Sequence, residues 1–393
     1  MLPASQPFRA YLVDLMEPHK YPELRAGITG PTKRPYDVAG WTLSMTMGVA
    51  ADRVEEPFVA DLENAAELSH VARLDHRENA AFRATAALVE RNIRVRWNAD
   101  GEILVDGQAP AERFDKAAWE LRRPRVAVYE PWVASMDAGW TQWVLDTYQV
   151  PHALLRNDEI QRGDLGSRFD AVILASQNAQ SILHGTRAGE PSGRGRFRSE
   201  ALSLQRPEYT GGIGVQGLWQ LENFVRQGGT LIAFDAATEL PVQFFPLPVR
   251  SLLRSSSAEP GGAAAETSAT GYYCPGSLLR IQVESAHPLA LGMPKEAIAF
   301  SDGGQAWDIA LADEYNKGER ELRSVARYAS SNLLASGWIS GERAVLGKHI
   351  LIEARHGKGR VVLFGFRPQF RGQTFGTFKF LLNAIYLASA RAL

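Results

Sequence analysis

From Arg125 onward, short uninterrupted apolar runs alternate with stretches whose apolar residues recur at helical spacing. The runs at 126–129, 152–155, 169–175 (FDAVILA) and 230–234 read as strands, and those at 139–148 and 217–227 as helices. The second helix places Leu218, Leu221, Phe224 and Val225 on one face and is ended by Gly228 and Gly229. Later, 349–354 and 360–366 predict an antiparallel pair joined through HGKG, and 377–388 a closing helix.

A strand apolar at every position has to be covered on both faces, and helices between such strands supply the cover. The pattern therefore predicts an α/β fold over residues 124–393: a flavodoxin-like, doubly wound, mostly parallel sheet with added strands. Before it, residues 1–123 read as a Pro-rich linker (Pro18, Pro22, Pro31, Pro35) and a small α/β region. That region has an Ala-rich helix at 79–89, then alternation at Ile93, Val95 and Trp97, turn residues at 98–101, and a return run at 103–105. Residues 187–205 and 255–271 are rich in Gly, Ser, Ala and charge and are expected to be mobile surface loops. Arg187, Arg194, Arg196 and Arg198 in the first raise an anion-binding loop as the alternative.

Composition narrows the function classes. The 393 residues are 45% hydrophobic and 22% charged, long enough for two domains. With 43 Lys and Arg against 44 Asp and Glu, the net charge of −1 offers no electrostatic attraction to nucleic acid or an anionic membrane. The single cysteine, Cys274, excludes an internal disulfide framework and any multi-cysteine metal site, and reads as a buried structural thiol. The N-terminus lacks the basic start and apolar core of a signal peptide, and no run approaches the roughly 20 apolar residues that span a bilayer, so a soluble chain is expected.

The order strand, helix, strand, FDAVILA, helix, GGTLIAF and finally GKGRVVLFGFRP resembles the class I glutamine amidotransferase-like fold from Arg125 to the end. In catalytic members of that class a cysteine follows the strand equivalent to 230–234, and a histidine and an acid stand in a Phe-His-Pro-Glu-like motif after a late strand. This chain has Asp235 at the cysteine position and reads Phe366-Arg367-Pro368-Gln369 at the late motif. The resemblance thus implies a scaffold with a degenerate triad at Asp235, Arg367 and Gln369. Asp235 is a poor substitute for a thiolate, and Arg367 cannot accept a proton. Asp235 and Arg367 are expected to meet as an ion pair at the carboxyl edge of the sheet. With Glu239 they are the ligand-binding candidates and the core of a rival reading, a hydrolase with a rebuilt site.

Over the whole chain, passages such as RPYDVAGWTLSMTMGV, EPWVASMDAGWTQWVLD, PEYTGGIGVQG and CPGSLLRIQV resemble the C-terminal half of large bacterial zinc carboxypeptidase-like proteins of the carboxypeptidase A superfamily. The resemblance implies a peptidase domain as partner, in cis or as a separate chain, with zinc as the cofactor of that domain alone. A homo-oligomer is the other assembly expected. The eight histidines here show no His-x-x-Glu pair with a distant third ligand: Glu23 after His19 and Glu78 after His76 are wrongly spaced, and the rest stand singly. No zinc is expected in this chain.

Other chemistry is weaker. The glycine-rich stretch 211–217 leads into a helix but has neither a preceding strand nor a Lys-Ser/Thr pair, and no Gly-x-Ser-x-Gly elbow occurs. Trp132, Trp140, Trp143, Trp219, Trp307 and Trp338 read as a domain or partner interface, or as sugar or peptide stacking platforms.

Overall fold

In the computed structural model of the chain, the structure describes residues 2–27, 30–35, 37–56, 74–132, 134–185, 209–253, 271–309 and 321–393. Almost all of the two expected loops, 187–205 and 255–271, lies outside the described residues.

Five parallel strands form the centre: β1 (Val126–Tyr129), β2 (His152–Leu155), β3 (Ala171–Leu174), β4 (Thr230–Phe234) and β5 (Gly359–Phe364). They lie in the order β2-β1-β3-β4-β5. That is the flavodoxin-like strand order, in which the chain starts near one edge, reverses, and winds helices over both faces.

Side-chain alternation along these strands feeds two cores. Val126, Val128, Ile173, Ile232 and Phe364 join one, with Val144 and Leu145 of the helix Met136–Thr147 and most of the helix Phe378–Ser389. Ala127, Tyr129, Val172, Leu231 and Leu363 join the other, with Leu221, Phe224 and Val225 of the helix Gly214–Gln227. Every residue of β1, β3 and β4 is buried, as two-sided cover requires.

Beyond β5 the sheet turns antiparallel. His349–His356 pairs with β5, placing Leu351 opposite Phe364 and His356 opposite Gly359, and Leu322–Tyr328, Ser277–Val283 and Glu296–Ser301 follow in turn. These strands come from the excursion between β4 and β5. A separate antiparallel sheet runs Leu74–Asp75, Glu102–Val105, Val95–Trp97, Trp119–Glu120, Arg391–Ala392, so its fifth strand is supplied after the last helix. Its hairpin is closed by Asn98, whose Oδ1 accepts from the backbone N–H groups of Asp100 and Glu102.

One residue pins the last helix to both regions. Buried Asn383 accepts at Oδ1 from His76 Nε2 at 2.7 Å and donates from Nδ2 to the carbonyls of Leu289 and Leu291 at 3.0 and 2.9 Å. No helix among the described residues is long and apolar enough to cross a membrane.

Candidate functional site

The candidate site lies where the parallel strands end. Asp235 follows β4 directly and opens a 3-10 turn, Asp235–Thr238, that runs into the helix Glu239–Phe244. Its backbone sits at φ +47°, a left-handed conformation that Asp tolerates better than most residues but still at a cost. A strand, a left-handed residue and a helical turn make a strand-to-helix elbow, the geometry that lifts a nucleophile above a sheet. Here the elbow carries a carboxylate, and Asp235 is only 8% exposed.

Arg367 comes from the turn after β5 and places its guanidinium among three carboxylates. Its Nε lies 3.8 Å from Asp235 Oδ2, Nη1 donates to Asp137 Oδ2 at 3.4 Å, and Nη2 donates to Asp302 Oδ2 at 2.6 Å. Ser176, just past β3, donates its hydroxyl to Asp235 Oδ2 at 2.9 Å. Gln369 is fully buried; its Nε2 donates to the Asp137 carbonyl at 3.3 Å and to Thr141 Oγ1 at 3.2 Å. The structure thus joins Asp235 and Arg367 directly and ties Gln369 to the helix that carries Asp137. Glu239 stands half-buried in the first turn of the helix that follows the elbow, whereas the carboxylates paired with Arg367 are those of Asp137, Asp235 and Asp302.

Burial dominates the electrostatics. It pushes the Asp235 carboxyl up to about 6, although Arg367 and the Ser176 hydrogen bond pull the other way. Burial likewise raises Asp137, again against Arg367. Arg367 remains protonated, since the three carboxylates outweigh the desolvation that would lower it. Its donors are directed at Asp137 and Asp302, so it is poorly placed to polarise a substrate carbonyl.

Asp137, Asp302 and Ser176 escaped the sequence reading, and two of them left a signal. Ser176 follows the FDAVILA strand, and ligands of such sheets gather outside the carboxyl ends of strands. Asp137 follows Ser135, whose Oγ accepts from the Ala138 N–H and starts the helix at Met136, three residues before the predicted start. Asp302 follows the antiparallel strand Glu296–Ser301, and no local pattern announces that it reaches Arg367.

Several other expectations meet geometry here. Cys274 is 2% exposed, donates its thiol to the Ser301 carbonyl at 3.2 Å, and is pushed by burial up to about 12, which is inert thiol chemistry at neutral pH. The glycine-rich stretch packs instead of cradling: Gln161 Nε2 donates to the carbonyls of Gly212 and Ile213, and Asn157 Nδ2 to that of Gly211. The tryptophan reading needs correction, because Trp307 and Trp338 are core residues at 1% and 9% exposure. Trp132, Trp143 and Trp219 are the exposed ones. Among the described residues no group of three or more His, Cys, Asp or Glu could hold a metal ion.

The strand order decides the class. This chain has a flavodoxin-like α/β fold. No family model and no curated protein matches it. Among solved structures it is similar to a thuA-like protein from Bacteroides uniformis (11% identity, 68% of this chain and 91% of that one, TM-score 0.36). It is also similar to PurLQS from Thermotoga maritima (12%, 67% and 99%, TM-score 0.39) and to a β-galactosidase from Bacillus circulans (11%, 69% and 32%, TM-score 0.34). These likenesses are slight, and the fold assignment rests on strand order and direction.

Proposed function

We propose that this chain is a noncatalytic, amidotransferase-like module that serves docking, ligand binding or assembly beside a zinc carboxypeptidase-like domain, in cis or as a separate chain. The observation that carries the noncatalytic part is the elbow: its residue is a buried carboxylate neutralised by Arg367, where acyl transfer would need a nucleophile and a base. The peptidase partner rests on the long sequence motifs quoted above.

A second reading keeps one observation on its side. Ser176 donates to Asp235, and a carboxylate titrating near 6 is a usable general base, so the pair could form a rebuilt hydrolytic site with Arg367 as anion binder. Against it, the Arg367 donors are already taken up by Asp137 and Asp302. Peptidase and glutaminase assays of the purified chain, with and without zinc, separate the readings. No turnover is expected; turnover abolished by Ser176→Ala or Asp235→Ala would establish the hydrolase. Association is tested by size-exclusion chromatography of the chain mixed with a zinc carboxypeptidase-like domain, where co-elution is expected and separate elution contradicts the docking role.

A further inference from the structure

Phe370, whose ring lies 4.8 Å from the Arg367 guanidinium carbon, also walls a cavity of about 290 Å³. Asp37, Trp41, Phe300, Arg371 and Gln373 line it as well, while none of the elbow's carboxylates does. Three of these residues supply aromatic surface, and Phe300 stacks on Phe370 with centroids 3.8 Å apart and planes 16° from parallel. The volume falls just below the range usual for drug-sized ligands, roughly 300–1,000 Å³, and suits a smaller molecule.

Two opposite charges share this small space. Arg371 is exposed, makes no ion pair among the described residues, and holds its guanidinium carbon 5.1 Å from the Phe370 ring centroid. Its backbone is left-handed at φ +47° and ψ 26°, a conformation that strains an arginine and that glycine would adopt freely. Strain of that kind is characteristic of ligand clamps. Asp37 is exposed too; its Oδ1 accepts from the Val38 N–H at 2.7 Å, and it makes no ion pair among the described residues.

We propose that this cavity binds a free α-amino acid with an aromatic side chain. The ammonium group pairs with Asp37, the carboxylate with Arg371, and the ring packs on Trp41 beside the stacked Phe300–Phe370 pair. A plain anion or cation would use one of the two charges and none of the aromatic wall, and a neutral sugar would use neither charge. The inference goes beyond the function proposed above and stands apart from it, because it does not depend on whether the elbow is inert.

Isothermal titration calorimetry of the whole chain tests it with L-phenylalanine, 3-phenylpropanoate, which lacks the ammonium group, and phenethylamine, which lacks the carboxylate. Phenylalanine is expected to bind saturably at one site, and each analogue at least about tenfold more weakly, the loss expected for one charge-assisted hydrogen bond. Asp37→Asn should weaken phenylalanine and not weaken 3-phenylpropanoate. Arg371→Asn, which keeps a residue tolerant of the left-handed backbone, should weaken phenylalanine and not weaken phenethylamine. The analogue that is not weakened in each variant reports that the cavity is still formed. Absence of saturable binding at millimolar phenylalanine overturns the proposal, and so does equal binding of all three compounds.

Discussion

Arg367 stands 2.6 Å from Asp302 and 3.8 Å from Asp235, so one guanidinium links a carboxylate that is 46% exposed at the rim to one buried at the elbow. Removing that cation would strand Asp235 and Asp137 without compensating charge. Arg367→Met is expected to destabilise the chain by about 3–5 kcal/mol, measured by urea denaturation. Adding Asp235→Asn to that variant should recover part of the loss. If the two changes simply add, the residues are not coupled.

The pH dependence of stability has a definite sign at the same residue. Asp235 holds its proton more tightly folded, at about 6, than unfolded, at about 3.9. Its contribution is therefore full at low pH and is lost as pH rises from about 4 to about 6, a change of about 3 kcal/mol. Asp235→Asn should match the parent near pH 4 and exceed it above pH 6. His76 and His349, both lowered to about 4 by burial, work the other way: each costs stability as pH falls below about 6.5. Denaturant midpoints compared across pH 4 to 7 check the difference, and parallel curves would contradict it.

Asn383→Leu isolates the junction between the last helix and the small sheet. The substitution would leave two buried carbonyls and one His76 ring nitrogen without partners, a cost of about 3 kcal/mol or more. Thermal melting should fall by several degrees, and an unchanged melt would show that water or a shift of the helix replaces the bonds.

How far the sequence alone reaches differs from element to element. The strands β1, β2 and β4 have the ends that their apolar runs predict; two-sided burial explains β1 and β4, whereas β2 is the edge strand and leaves Ala153 and Leu154 exposed. The helix Met136–Thr147 begins three residues before the predicted 139, because its cap is Ser135. Asp235 and Arg367 were legible as partners because each follows a strand of the parallel sheet. Asp302 was not, since it arrives on an antiparallel extension whose pairing is fixed by contacts distant in sequence.

Gly359→Ala probes the seam between β4 and β5. A Cβ there would fall 2.2 Å from the carbonyl oxygens of Gly229 and Val225, both backbone atoms that cannot swing aside. A loss of about 1–3 kcal/mol is expected from this overpacking, read from urea denaturation. Stability equal to the parent would mean that the helix Gly214–Gln227 slides along the sheet at little cost.

The strand Arg391–Ala392 lies against Trp119–Glu120, so the ribbon that leaves the small sheet at residue 121 and traverses the whole larger one comes home to it. A protease cutting the connection near Pro124 would therefore sever one covalent link without freeing either piece. The nicked halves should travel together through a gel-filtration column and part only in denaturant.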